Sequence, residues 1–170
     1  MYETLLYHHG IKGQKWGIRR FQNPDGSLTS KGRKKYQKID TLRSEKTGES
    51  FYIGERKSKI KDHHDFNIIN KNGKTIGDLA LENHGDDLYV NWISINSTER
   101  GKGYANKVMD YVVKRSKQNG YKTVSLEVPG HSPDARHIYE KHGFKEVKNT
   151  NLKTHEDDIW GGLTAMKRQN

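Results

Sequence analysis

The sequence predicts an α/β domain: a mixed sheet, antiparallel meander plus parallel pair, with helices on both faces. Three observations carry this. Asn72-Gly73 sits between two apolar runs, the setting in which Asn-Gly marks a hairpin. Residues 104–119 repeat apolar side chains at helical spacing between two apolar strands, which implies a right-handed crossover joining parallel neighbours. Ser132-Pro133-Asp134 then opens a second, shorter helix that stops at Gly143.

The elements follow in order. Gly10, Gly13 and Gly17 break any helix before Arg20, and Asn23-Pro24-Asp25-Gly26 is a turn. Ser30 to about Leu42 reads as a basic helix capped by Ser30. Phe51-Tyr52-Ile53 is a short strand. Phe66–Asn70, Thr75–Asn83 and Leu88–Ile95 form a three-strand meander, turning at 71–74 and 84–87. In the helix 104–119, Ala105, Val108, Met109, Val112 and Val113 share one face, and Gly120 follows the last turn. Lys122–Val128 is a β-branched, buried strand. Phe144–Lys148 and Ile159–Arg168 close the domain as a hairpin.

Composition divides the chain into a segment, 1–50, and a domain, 51–170. The segment carries 11 basic and 5 acidic residues, net +6, and the domain 20 and 16, net +4, within a total of 31 and 21. Trp16, Ile18 and Phe21 stand among Lys15, Arg19 and Arg20, which suits a nucleic-acid-binding arm and equally a solubilising tail. With 31% hydrophobic residues, part of the chain is expected outside a packed core. The absence of cysteine excludes disulfides, thiolate metal sites and a cysteine nucleophile. No apolar run is long enough to span a membrane and no signal peptide is evident, so a soluble, cytoplasmic protein is expected. His8-His9 and His63-His64 lack further ligands at sensible spacing, and no metal is expected.

The stretch Arg100-Gly101-Lys102-Gly103-Tyr104-Ala105 joins a strand to a helix. Its glycines let backbone approach a ligand closely, and the helix start offers unpaired N–H groups and positive dipole potential. A pyrophosphate fits there, with Arg100 and Lys102 adding charge. The turn lacks the GK[ST] ending of a P-loop and the third glycine of a dinucleotide fingerprint.

These residues resemble the GNAT superfamily of acetyl-CoA-dependent N-acetyltransferases. The family turn [QR]-x-x-G-x-[GA] is matched by Arg100, Gly103 and Ala105, and A-x-x-[LI]-Y-x-x-x-G-F by Ala135, Ile138, Tyr139, Gly143 and Phe144. The match spans about residues 65–168. It implies a GNAT-like sheet, acetyl-CoA as cofactor and an amine as acceptor, either a small molecule or a protein. It also implies that the backbone of Ile93-Ser94-Ile95 pairs with the pantetheine arm and that an N–H near Ile95 serves the oxyanion. Leu126-Glu127-Val128 and Ile138-Tyr139-Glu140 are similar to the branch that acetylates protein N-termini, which makes Glu127 the candidate base and Tyr139 the candidate acid. Glu127 reads equally as a strand-end carboxylate that orders the pocket, and Glu82 is the reserve base. Glu156, Asp157 and Asp158 lie in a loop that borders the acceptor site in the family. Two departures stand out. Ser132 replaces a family Asn toward CoA, and the family's first two helices are reduced or absent.

His8 to Thr29 resembles a short motif, HHGI-x-G-x-KWG-x-RR-[YF]-QNPDGSLT, of bacteriophage structural and head-morphogenesis proteins. That resemblance implies a phage or prophage origin, a docking or assembly tag, and residence in host cytoplasm or virion. The alternative to an enzyme is thus a structural or interaction protein that keeps a GNAT fold and docks to phage particles or nucleic acid through residues 1–50.

Overall fold

The computed structural model describes residue 29 and residues 39–56, 58–130, 132–147 and 162–170. The chain divides into Met1–Lys38 and Ile39–Asn170. All elements below belong to the second unit.

Five strands form an antiparallel meander: β1 (Ile39–Arg43), β2 (Ser50–Arg56), β3 (His63–Asn70), β4 (Thr75–His84) and β5 (Asp87–Ile95). The β3–β4 hairpin turns on Asn72-Gly73 as expected, with Gly73 at φ 86. The meander is two strands longer at its start than the three expected. Residues 39–42, expected to end a basic helix, lie instead in β1, where Thr41 and Leu42 pair with Tyr52 and Phe51. A strand partner outweighs weak local helix preference. The rest of that expected helix lies outside the described residues. The division drawn at residue 50 falls at the start of β2, so β1 and the β1–β2 turn, which contains Thr47-Gly48 where charge and composition change, lie on the sheet's side of it.

Helix α1 (Tyr104–Gln118) carries the chain from β5 to β6 (Thr123–Pro129), which runs parallel to β5. Arg115 and Lys117 stand in the last turn of α1, where cations suit the dipole, and Gly120 follows at φ 78. Helix α2 (Pro133–Lys141) leads to β7 (Lys145–Glu146), which pairs antiparallel with β8 (Leu163–Gln169). The strand order is β1-β2-β3-β4-β5-β6-β8-β7.

The two crossovers, β5–α1–β6 and β6–α2–β7, step across the sheet in the same direction. Right-handed connections therefore put both helices on one face. That face is the core: Ile53, Phe66, Leu79, Val90, Leu126 and Met166 are buried against Val108, Met109, Val112, Tyr139 and Phe144. Truncating one of these to Ala costs about 2–5 kcal/mol. Helices were expected on both faces, but both described helices lie on this one. Only residues 57–62 connect β2 to β3, too few for the family's first two helices, which were expected to be reduced or absent. The other face presents Asp65, Asp78, Ala80, Glu82, Tyr89, Trp92, Ser125 and Glu127, in alternation with the buried set.

Candidate active site

The glycine turn has the left-handed backbone its sequence requires: Gly101 at φ 77 and Gly103, the N-cap of α1, at φ 81. The two glycines face different things. A β-carbon on Gly101 meets nothing within 4 Å, whereas one on Gly103 meets Lys46 Cγ at 3.4 Å and Ser44 Oγ at 3.5 Å. Gly101 borders open space, and Gly103 packs on the β1–β2 turn. The first intrahelical bond runs from Lys107 N–H to Gly103 O, so the N–H groups of Tyr104, Ala105 and Asn106 have no helical acceptor. The first turn of α1 holds no acid, unlike α2 with Asp134. Its positive end is left uncompensated, as an anion site needs.

The charged side chains of the turn are partly engaged. Lys102 Nζ is 2.7 Å from Glu99 Oε2, and that hydrogen bond raises the lysine pKa. Arg100 Nε donates to Ile95 O at 3.1 Å. Tyr104 is core: its ring packs on Phe51 at 4.9 Å, its hydroxyl lies 3.4 Å from Glu49 Oε2, and burial pushes its pKa up. Ala105 packs against the core. These two residues offer a ligand their backbone N–H.

Beside the turn the sheet opens. β5 and β6 pair only over Asp87–Val90 and Thr123–Leu126. Beyond that, residues 91–95 of β5 have no β6 partner, while Glu127–Pro129 continue along β8. A bulge at Asn91 shifts the β4–β5 register, with Ala80 opposite Trp92 and Leu81 opposite Val90. Asn96 N–H bonds Ile76 O at 2.8 Å. By antiparallel alternation, Ser94 then turns its N–H and C=O to β4, and Ile93 and Ile95 turn theirs into the gap. The Ile95 carbonyl is the one Arg100 takes, which agrees. The Ser94 side chain hydrogen-bonds Asp78 Oδ2 at 3.0 Å.

Glu127 is the first β6 residue past the paired segment and lies on the helix-free face. None of the described residues gives it a hydrogen bond or ion pair. Tyr139 lies on the helix face, 7% exposed, with its ring centroid 6.1 Å from that of Phe144. Burial pushes its hydroxyl pKa up to about 12. Base and acid candidates thus stand on opposite faces of the sheet, with the gap between. Glu82 is already engaged: Asn91 donates to it, and His63 and His84 approach at 3.3 and 3.2 Å. His64 points to the other face, 2.9 Å from Glu55. Ser132 N-caps α2 without a side-chain bond and donates its N–H to Pro129 O at 3.0 Å. Glu156, Asp157, Asp158 and the His8–Thr29 motif apart from Thr29 lie outside the described residues.

Several contributors escaped the sequence reading. Ser44, 1% exposed, donates to Lys102 O at 2.5 Å and ties the glycine turn to the β1–β2 turn. Gly77 lies so close to β5 that a β-carbon there would overlap the Ser94 carbonyl. The bulge had a signal: Leu88 and Val90 alternate, then Ile93 and Ile95 do, one residue out of phase. Tyr89 lies near both carboxylates of the open face. Burial first, then Glu127 and Glu82, raises its pKa.

The acetyltransferase (GNAT) family model matches residues 34–144. No curated protein matches the chain. Among solved structures, spermidine N-acetyltransferase from Vibrio cholerae in complex with CoA and spermine superposes with TM-score 0.56 at 19% identity, over 64% of this chain and 66% of that one. A chimera of the Vibrio cholerae enzyme and hSSAT gives 0.56 at 20%, over 64% and 68%. A GNAT-family acetyltransferase from Staphylococcus aureus gives 0.52 at 16%, over 64% and 68%. At these identities the likeness is one of fold.

Proposed function

The chain belongs to the acetyltransferase (GNAT) family, and from that footing we propose that it is an N-acetyltransferase that moves an acetyl group from acetyl-CoA directly to a primary amine. The observation that carries the reading is the opened edge of β5. Backbone groups of Ile93 and Ile95 that turn away from β4, the Ile95 carbonyl already taken by Arg100, line a gap with a phosphate-suited turn at one end and Glu127, which none of the described residues engages, at the other. The residues suit CoA: open space at Gly101, an acid-free helix start and a free strand edge.

Acetyl-CoA supplies an acyl carbon activated as a thioester. The N–H groups at the start of α1, with Gly101, Lys102 and Arg100 beside them, hold the pyrophosphate. The backbone of Ile93 would pair with the pantetheine arm, and Ser132, shorter than the family Asn, would offer a shorter contact from the start of α2. The Ile95 N–H would be the donor to the thioester oxygen, where negative charge builds up during acyl transfer. Glu127 takes a proton from the acceptor ammonium, and Tyr139 gives one to the leaving sulfur. Their separation by the sheet suits a transfer in which the amine would approach from the open face and the cofactor from the helix face.

The test is direct. Acetyl-CoA should raise the melting temperature, since a ligand selective for the folded state stabilises it. Tyr139→Phe should keep that shift but lower kcat by roughly 10²-fold. Absence of any shift at millimolar acetyl-CoA would overturn the proposal.

A further inference from the structure

One large apolar side chain beside this gap is left exposed. Trp92 is 56% exposed. It stands on the edge of β5 where β6 has parted from it, directly after the bulge, on the face that neither described helix covers. Without the bulge at Asn91, alternation from Val90 would turn Trp92 into the core. The extra residue sets it on the open face and points the Ile93 backbone into the gap.

Its surroundings are specific. The register places Ala80 beside Trp92 on β4 and Asp65 beyond it on β3. The small Ala80 side chain leaves the indole flanked by open floor, with Asp65 two strand spacings away, about 10 Å. Arg56 closes the row on β2. On the other side, across the gap, stands Glu127. Asp65, like Glu127, has no hydrogen bond or ion pair among the described residues. Arg56 stands directly opposite Asp65, so the uncompensated carboxylate nearest the indole is Glu127 across the gap, and an exposed indole beside it suits a cation on its face.

We propose that Trp92 is a specificity-determining residue for the acceptor: its indole holds a second positive charge of the amine being acetylated. The inference rests on the acetyltransferase reading and narrows its substrate class. The acceptor is then a flexible chain with two cationic centres. One amine reaches Glu127 and the thioester in the gap. The other lies on Trp92, with Asp65 beyond. A monoamine lacks the second contact, and an acceptor ending in a carboxylate brings negative charge to the electron-rich face of the indole.

The experiment compares cadaverine, pentylamine and aminohexanoate, three chains ending in a cation, a methyl group and an anion. With acetyl-CoA, kcat/KM should fall in that order for the wild type. Trp92→Ala should raise KM for cadaverine roughly fivefold, the scale of one exposed cation–π contact, with less effect on kcat. Trp92→Phe should fall between. Retention of the acetyl-CoA melting shift shows that each variant folds and loads its cofactor. If amines are acetylated but the wild type shows no preference for cadaverine, or Trp92→Ala keeps that preference, the proposal is overturned and the acetyltransferase reading stands. If acetyl-CoA binds and none of the three amines is acetylated, the second charge is not what the site recognises and the proposal is overturned. Transfer to other amines then decides the wider reading.

Discussion

Tyr139 is the residue whose environment makes the sharpest demand. Its hydroxyl is raised by burial from 10.0 to about 12. In the unfolded chain it loses its proton near its ordinary value, while in the fold it keeps it for about two units more. The stabilisation is therefore complete below pH 10 and is lost as pH rises through 12. Two units correspond to roughly 2–3 kcal/mol. Wild-type melting temperature should fall between pH 10 and 12, and Tyr139→Phe should flatten that fall. The hydroxyl is already protonated at neutral pH at its ordinary value, so the shift adds nothing to its loading and makes Tyr139 a weaker acid toward sulfur. Glu127→Gln should behave differently in kinetics. As pH rises more acceptor amine is already neutral, so its rate should recover toward wild type, while that of Tyr139→Phe should not. Parallel losses at every pH would make Glu127 a residue that only positions substrate. Both residues are nominated by their motif contexts in the sequence. Their placement on opposite faces is not legible there, because strand parity and crossover direction decide it.

At the scale of elements, the glycine turn depends on a partner far away in sequence. Ser44 reaches Lys102 O, and its Oγ also accepts from Thr47 N–H at 3.2 Å. Ser44→Ala should cost about 1–3 kcal/mol, since both groups lose a buried partner, and should weaken acetyl-CoA binding through the displaced turn. Gly101→Ala separates the two effects. Its β-carbon has open space, so stability should fall only by the left-handed backbone cost, about 1–2 kcal/mol, while acetyl-CoA binding should weaken strongly. Gly103→Val tests something else, because its methyls would strike Lys46 and Ser44 before any ligand. Melting curves with and without acetyl-CoA distinguish the three. A fully retained acetyl-CoA shift in Gly101→Ala would remove that turn from the cofactor site.

At the scale of the molecule, the folded domain is proposed to begin at Ile39. Deleting residues 1–38 should leave cooperative unfolding and the acetyl-CoA shift intact. Deleting residues 1–50 removes β1, the Ser44 tie and the Glu45 and Glu49 partners of Lys107 and Lys71, and should lower the melting temperature or yield insoluble protein. Equal behaviour of the two truncations would return the boundary to the charge break at Thr47-Gly48. If the basic segment binds nucleic acid, the shorter deletion should also abolish a salt-sensitive interaction, and unchanged affinity would discard that role.

What the sequence determined by itself is the local and periodic part of this protein. The Asn72-Gly73 hairpin, the apolar face of α1, the start of α2 at Pro133 and the glycine turn all follow from residues a few positions apart, and the parallel β5–β6 pair from the strand–helix–strand order. Turn chemistry and side-chain period act over that range. The tertiary structure decided the rest. It drew residues 39–42 into a strand by pairing them with β2. It parted β5 from β6 after Val90, gathered both described helices on one face, and set Ser44 against Lys102 and Trp92 beside the gap. Each of these depends on contacts between residues distant in sequence or on the handedness of a crossover. Local propensity is weak against such contacts, and only the closed sheet brings their partners together.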